Sequence, residues 1–270
     1  MRIERLDDLG DLVPLAQPVR RVVSLSPSLT EVVSTLDVNL LVGVTSDVAL
    51  PPLPGPVLHT AVSPDVAVLG SSRQPDLRLV SRLVPDLVLA SKSENRLADV
   101  QRLREAGVGV WVTEVETVAQ ALHSVERLIS EGLGSSLPAW WRVAQQRWSK
   151  PMETSHERVV VLVDTDPWTV VGRNHLATDL LAHHGVENVM ASHRDRFPTM
   201  TPEEIESHHL DVVVLLVDDV ETADLAPVSA HFHRTPVRCL DRRILSHFGP
   251  TLLDAATLLE RSFPRTTPSR

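Results

Sequence analysis

Ser26 stands where a short apolar run, Val22, Val23 and Leu25, gives way to Pro27, Ser28 and Glu31. A serine at a strand-to-helix turn could be a nucleophile, a helix cap or a hydrogen-bonding group for a ligand. No G-x-S-x-G surrounds it, so the elbow that exposes a nucleophilic serine is missing and the other two roles are expected. A second chemical cluster is KSENR, Lys92–Arg96, which puts both signs of charge at the mouth of the apolar run Leu87–Ala90. It could hold an anionic group or cap the helix that follows. Histidine is the third, since ten of the twelve lie in the second half of the chain. Neighbours on a helix point about 100° apart, so His183 and His184 make a poor chelate. No protein metal site is expected; His231, His233 and His247 are the residues to consider if there were one. Neither a P-loop nor G-x-G-x-x-G occurs, which leaves nucleotide binding by those routes without support. The lone cysteine, Cys239, excludes an intramolecular disulfide and a cysteine-based zinc site.

The elements that must carry these residues alternate. Val22, Val23 and Leu25 suit a strand buried on both faces. The Ser28 to Glu31 spacing predicts a capping box, and Leu29, Val32, Val33 and Leu36 give the following helix one apolar stripe. Strands are then expected at Leu40–Val44, Leu87–Ala90 and Val108–Val112, with a surface loop at Pro51–Pro56 and helices ended by Pro85 and Gly107. That order predicts a parallel sheet whose ligands meet the carboxyl ends of its strands. From Glu116 the pattern is helical twice over: first Val118, Leu122, Val125 and Ile129, then Leu137, Trp141, Ala144 and Trp148. The second of these, of about 15 residues, would run about 22 Å. The α/β pattern then restarts, with strands at Val159–Val163, Val212–Val217 and Val237–Leu240, a helix at Leu176–His184, and a second capping box in Thr201, Pro202 and Glu204.

The halves resemble each other. Arg78 and Glu203 each stand eight residues before an Asp, Asp86 and Asp211, that opens a strand, LVLA or VVVL. This predicts a two-fold repeat of one α/β unit, with ligand between the lobes. The expected division is an N-terminal extension at 1–20, an α/β lobe at 21–115, linking helices including a backbone helix at 116–156, a second lobe at 157–263 and a disordered tail at 264–270.

With 43% hydrophobic and 23% charged residues the chain reads as globular, and its net charge of −9 argues against non-specific binding to nucleic acid or anionic membrane. Arg2, Glu4, Arg5, Asp7, Asp8 and Asp11 interrupt any leader-like apolar run. A cytoplasmic protein is therefore expected, or an extracytoplasmic one if the true N-terminus lies upstream.

The ordered set RVVSLSPSLTEVV, LVGVTS, LVPDLVLAS, LREAGVGVWV, VGRNHLATDLLAHHGVENV and FPTMTPEEI resembles the helical-backbone, or class III, periplasmic binding proteins of cobalamin and iron-siderophore uptake. The resemblance spans Arg20 to Phe263. It implies two α/β lobes with parallel sheets joined by a rigid backbone helix, a cleft that binds a metal chelate, no catalysis and no intrinsic cofactor. The ligands it implies are cobalamin, haem or a ferric siderophore. The positions it assigns to the ligand are Ser26, Asp47, Ser91, Asn95, Trp168, Phe197, His247 and Phe248. Aromatic faces suit a macrocycle or catechol chelate, and they stand out in a chain with five Trp, four Phe and no Tyr. The resemblance further implies an ABC permease as partner, docked through one Glu in each lobe. Glu203 matches the second; Arg78 stands at the first, where a guanidinium reverses the charge. A cytoplasmic metal-cofactor handling protein or an enzyme that has reused the fold is the alternative.

Overall fold

The computed structural model describes residues 2–48, 65–150 and 156–264. The expected loop at Pro51–Pro56 and the tail beyond residue 264 lie outside the described residues. The chain divides into two compact units, residues 1–115, 119–145 and 247–251 in the first, and 116–118, 146–246 and 252–270 in the second. Among the described residues no helix is long and apolar enough to cross a membrane.

The first unit opens with an antiparallel hairpin, β1 (Arg2–Leu6) and β2 (Leu12–Ala16). Its turn carries three of the acids that interrupted the leader-like pattern, Asp7, Asp8 and Asp11, and they are structural. Asp7, 2% exposed, accepts from the backbone N–H groups of Leu9, Asp11 and Val112 and from Arg104 at 2.7 Å. Asp8 takes Arg127 at 2.9 Å. There follow β3 (Val22–Ser24), α1 (Pro27–Leu36), β4 (Leu41–Val44), β5 (Ala67–Val68), α2 (Leu77–Arg82), β6 (Leu87–Ser91), α3 (Leu97–Glu105) and β7 (Val110–Thr113). The sheet is parallel in the order β5-β4-β3-β6-β7. Val23, Leu25, Val88, Ala90, Val110 and Val112 from its strands pack with Val80, Val100 and Leu103 from the helices. Successive strands are added on one side of β3 up to β5 and then on its other side from β6, and such a switch point opens a crevice at the carboxyl ends of the strands.

Two helices lead on, α4 (Val118–Arg127) and α5 (Ala139–Arg147). The first is the longer, because α4 runs directly into a π turn over Leu128–Gly132. The sequence reading placed the length in the second; Gly132 is absorbed in the π turn instead of ending α4, and α5 begins only after Pro138.

The second unit repeats the plan with β8 (Arg158–Thr165), β9 (Trp168–Val170), α6 (Leu176–His183), β10 (Glu187–Asn188), α7 (Pro202–Glu206), β11 (Val212–Val217), α8 (Ala226–Ser229), β12 (Val237–Asp241), α9 (Arg242–Ser246) and α10 (Thr251–Ser262). Its parallel order is β10-β8-β11-β12, with β9 folded back antiparallel on β8. The Thr201 and Glu204 capping box forms as expected.

The repeat extends to side chains at the amino ends of the strands. Asp86 Oδ2 accepts the N–H groups of Arg20 and Arg21 at 2.8 and 2.9 Å, and Asp211 Oδ2 accepts that of Arg158 at 2.7 Å. Arg21 then donates to the carbonyls of Leu83 and Val84, and Arg158 to those of His208 and His209. Val84 and His209 both have left-handed backbones, φ 46° and 53°. An Arg–Asp pair thus ties the strand start to the helix–strand corner in each unit.

Two substitutions test this framework. Asp86→Ala removes an anionic acceptor from two backbone donors and is expected to cost about 1–2 kcal/mol in urea unfolding, with Asp86→Asn recovering part. Gly172 is held by space: a Cβ there would lie 2.2 Å from the Asp195 carbonyl. Gly172→Ala is therefore expected to displace the 195–198 backbone, lowering the melting temperature and shifting the emission of Trp168, which is bonded to the same segment.

Candidate functional site

At the carboxyl ends of β4, β3 and β6, three neighbouring strands, the chain places Thr45, Ser26 and the loop Ser91–Asn95. Asn95 fixes this face. Its Oδ1 accepts the Ser91 N–H at 2.8 Å, while its Nδ2 donates to Leu25 O at 2.9 Å and Ser72 O at 2.8 Å. Asp47 Oδ2 accepts the Ser72 N–H at 2.6 Å, and Ser91 Oγ lies 2.9 Å from Ser93 Oγ. Asp47, Ser91 and Asn95 are thus brought to one face, where Asn95 commits all of its amide to holding the loops.

Ser26 is fully buried and is the N-cap residue of α1, with Pro27 at the first helical position, yet its side chain caps no N–H. The expected Ser28 and Glu31 capping box does not form: with Pro27 at N1 the cap shifts to Ser26, and Glu31 is engaged elsewhere. Its Oε1 takes His247 Nδ1 at 2.8 Å, its Oε2 takes the Thr251 hydroxyl at 2.6 Å, and Ser28 Oγ accepts the Phe248 N–H at 3.4 Å. Gly249 allows this approach, since a Cβ would meet Ser28 O at 3.0 Å. His247 therefore reaches the Ser26 region through Glu31. Phe248 is 2% exposed and offers no face to a ligand, which corrects its assignment.

Glu94 is the group that sequence reasoning passed over. Its Oε2 is buried without a hydrogen-bond partner, as are Ser26 Oγ and Thr45 Oγ1. Burial pushes the Glu94 carboxyl above its usual range; the Ser26 hydroxyl and His247 oppose this, while Asp47 and Glu31 add to it. The sequence signal was a glutamate between Ser and Asn at the mouth of a central strand, read only as one charge of KSENR.

In the second unit Trp168 lies at the carboxyl end of β8, opposite Thr165. Half-buried, it meets His231 edge-on at 5.1 Å and Phe232 at 5.8 Å. The segment 195–200 lies along β9: Val170 N–H donates to Pro198 O, Gly172 N–H to Arg196 O and Met200 N–H to Trp168 O. This segment holds Phe197, 37% exposed, edge-on to His175 at 5.3 Å with Arg196 over its face. The His175 Nδ1 accepts the Ala177 N–H at 3.1 Å. Burial and the Arg196 charge lower its pKa to about 3, so the ring is neutral and carries its proton on Nε2.

Arg78 and Glu203 are both exposed in the first turns of α2 and α7. The Glu203 carboxyl is held below its usual range by its own backbone N–H and the Thr201 hydroxyl. His231 and His233 are exposed. Among the described residues no three His, Cys, Asp or Glu side chains are placed to hold a metal ion, so His231, His233 and His247 do not form a site.

No protein-family model matches the chain. The vitamin B12-binding protein of Salmonella typhi is 22% identical over 247 residues, 88% of each chain. Two similar solved structures are the periplasmic vitamin B12-binding protein BtuF of Vibrio cholerae and a periplasmic haem-binding protein of Pseudomonas aeruginosa. The first has a TM-score of 0.69 at 16% identity, covering 90% of this chain and 95% of that one. The second has a TM-score of 0.70 at 21% identity, covering 93% and 96%. Both are periplasmic, which overturns the expectation of a cytoplasmic protein; three of the acids that prompted it belong to the folded hairpin turn. The chain has the fold of the helical-backbone, class III, periplasmic binding proteins.

Proposed function

We propose that this chain is a non-enzymatic solute-binding protein for a metal chelate, a corrinoid such as cobalamin, haem or a ferric siderophore, working outside the cytoplasm as the binding component of an ABC importer. Sequence similarity to a vitamin B12-binding protein along 88% of the chain and the fold it shares with B12- and haem-binding proteins support the class. The observation that carries it to residues is the pair Trp168 and Phe197. Both keep part of their surface exposed while edge-on ring contacts to His231, Phe232 and His175 fix their planes. Fixed aromatic planes give a macrocycle large apolar contact at low entropic cost.

The importer that fits would present a cation to Glu203 and an acid to Arg78, because these two exposed charges hold matched positions of the repeat.

Two measurements test this reading. Calorimetric titration with cyanocobalamin, haem and ferric siderophores should show at least one ligand bound tighter than millimolar, and Trp168→Ala should weaken it by about tenfold or more with the circular dichroism unchanged. Undiminished affinity in that variant removes Trp168 from the site. For docking, Arg78→Glu should weaken the complex with the importer's permease; a tighter complex would refute the charge assignment.

A further inference from the structure

Among the described residues, three buried side-chain polar atoms without a hydrogen-bond partner, on Ser26, Thr45 and Glu94, sit together at the carboxyl ends of the adjacent strands β3, β4 and β6. Buried polar groups are nearly always paired, so a concentration of unpaired ones at the switch point of a sheet calls for a ligand. The surroundings fix its chemistry. Ser26 is 0% and Thr45 1% exposed, so neither can turn to solvent. Asp47 and Glu31 both act on Glu94 as negative charges, with His247 the only positive group among the influences on it. His247 is already turned to Glu31, its Nδ1 2.8 Å from the carboxylate. A carboxylate arriving here would meet like charge, whereas an N–H or O–H donor would meet acceptors.

We propose that Glu94, with Ser26 beside it, is the specificity-determining residue of the first unit, accepting a hydrogen bond from a carboxamide or hydroxyl of the chelate and rejecting a carboxylate at that point. The idea rests on the chelate-binding reading and narrows it to ligands whose periphery carries neutral donors. The loop is built to hold such a group still: Asn95, the next residue, spends its amide on Ser91, Leu25 and Ser72. The Ser26 carbonyl takes the Thr30 N–H at 2.9 Å and the hydroxyls of Ser24 and Thr30 at 2.9 and 3.0 Å. An acceptor fixed in advance discriminates because it cannot move away from the wrong partner.

The cost of keeping Glu94 is visible in its titration. Burial holds its carboxyl above the usual carboxylate range in the folded chain, so as pH rises through that range the unfolded chain loses a proton that the folded one still holds. Stability therefore falls as pH rises through this window.

The experiment compares dicyanocobinamide, whose corrin bears carboxamides, with cobyrinic acid, in which they are carboxylates, by calorimetry at pH 7.5. The wild type should prefer the carboxamide by about tenfold or more, and Glu94→Gln, able to donate as well as accept, should cut that ratio several-fold, with Ser26→Ala moving it the same way. An unchanged ratio in Glu94→Gln, or a wild-type preference for the carboxylate, overturns the proposal while leaving chelate binding intact. Failure of both corrinoids, haem and ferric siderophores to bind removes the chelate reading, and this inference with it. Thermal melting supplies the second readout. Glu94→Gln should melt above wild type at pH 7.5, with the difference closing near pH 4; a lower melting temperature at pH 7.5 would make Glu94 a structural residue.

Discussion

The face at the carboxyl ends of the first unit's strands depends on one amide. In a parallel sheet the loops at the carboxyl ends come from strands that pair along their length but not beyond it, so nothing in the ladder holds the loops to one another. Asn95 supplies that hold. It joins the loop after β6 to the end of β3 through Leu25 O and to the segment after β5 through Ser72 O, and closes on its own loop through the Ser91 N–H. Asp47 adds the loop after β4 by taking the Ser72 N–H. The four loops are then one surface, and Ser26, Thr45 and Glu94 keep fixed positions in it. Buried networks of this kind specify geometry well when every member is satisfied, and Asn95 is satisfied three times.

Much of the fold was legible because it is written locally. Val-rich strands, the Thr201 and Glu204 cap and the eight-residue spacing to Asp86 and Asp211 each involve residues close in sequence. The last of these signalled more than a repeat: the two aspartates hold the backbone at Arg21 and Arg158 in the same way in both units. What misled was local spacing answered from a distance. Ser28 and Glu31 have the spacing of a capping box, but Glu31 is claimed by His247 and Thr251, more than 200 residues away. Phe248 followed the same rule; its loop context suggested exposure, and the close approach allowed by Gly249 buried it. Glu94 was hidden for a subtler reason, since nothing in KSENR says that one of three charges turns inward.

The two units also show where this architecture is constrained and where it is free. At the amino ends of the central strands the arrangement is the same twice: an Arg, an Asp, a pair of carbonyls at the corner and a left-handed residue, Val84 or His209. Those parts set the strand against its preceding helix, and any change in one partner would leave the others unpaired. The carboxyl ends differ. The first unit has buried acceptors there, Ser26, Thr45 and Glu94, with acids around them. The second folds β9 back on β8 and lays the 195–200 segment beside it, so that Trp168 and Phe197 replace polar groups with rings.

This division follows from the physics of a parallel sheet. The amino ends receive chain that must be tied to the core, while the carboxyl ends deliver loops that leave it, and only those can vary without unpicking the strands. A repeat of one unit thus yields two faces of different chemistry from one scaffold. The first carries buried oxygens on Ser26, Thr45 and Glu94; the second has the rings of Trp168 and Phe197, with the neutral donor His175 and the cation Arg196 beside Phe197.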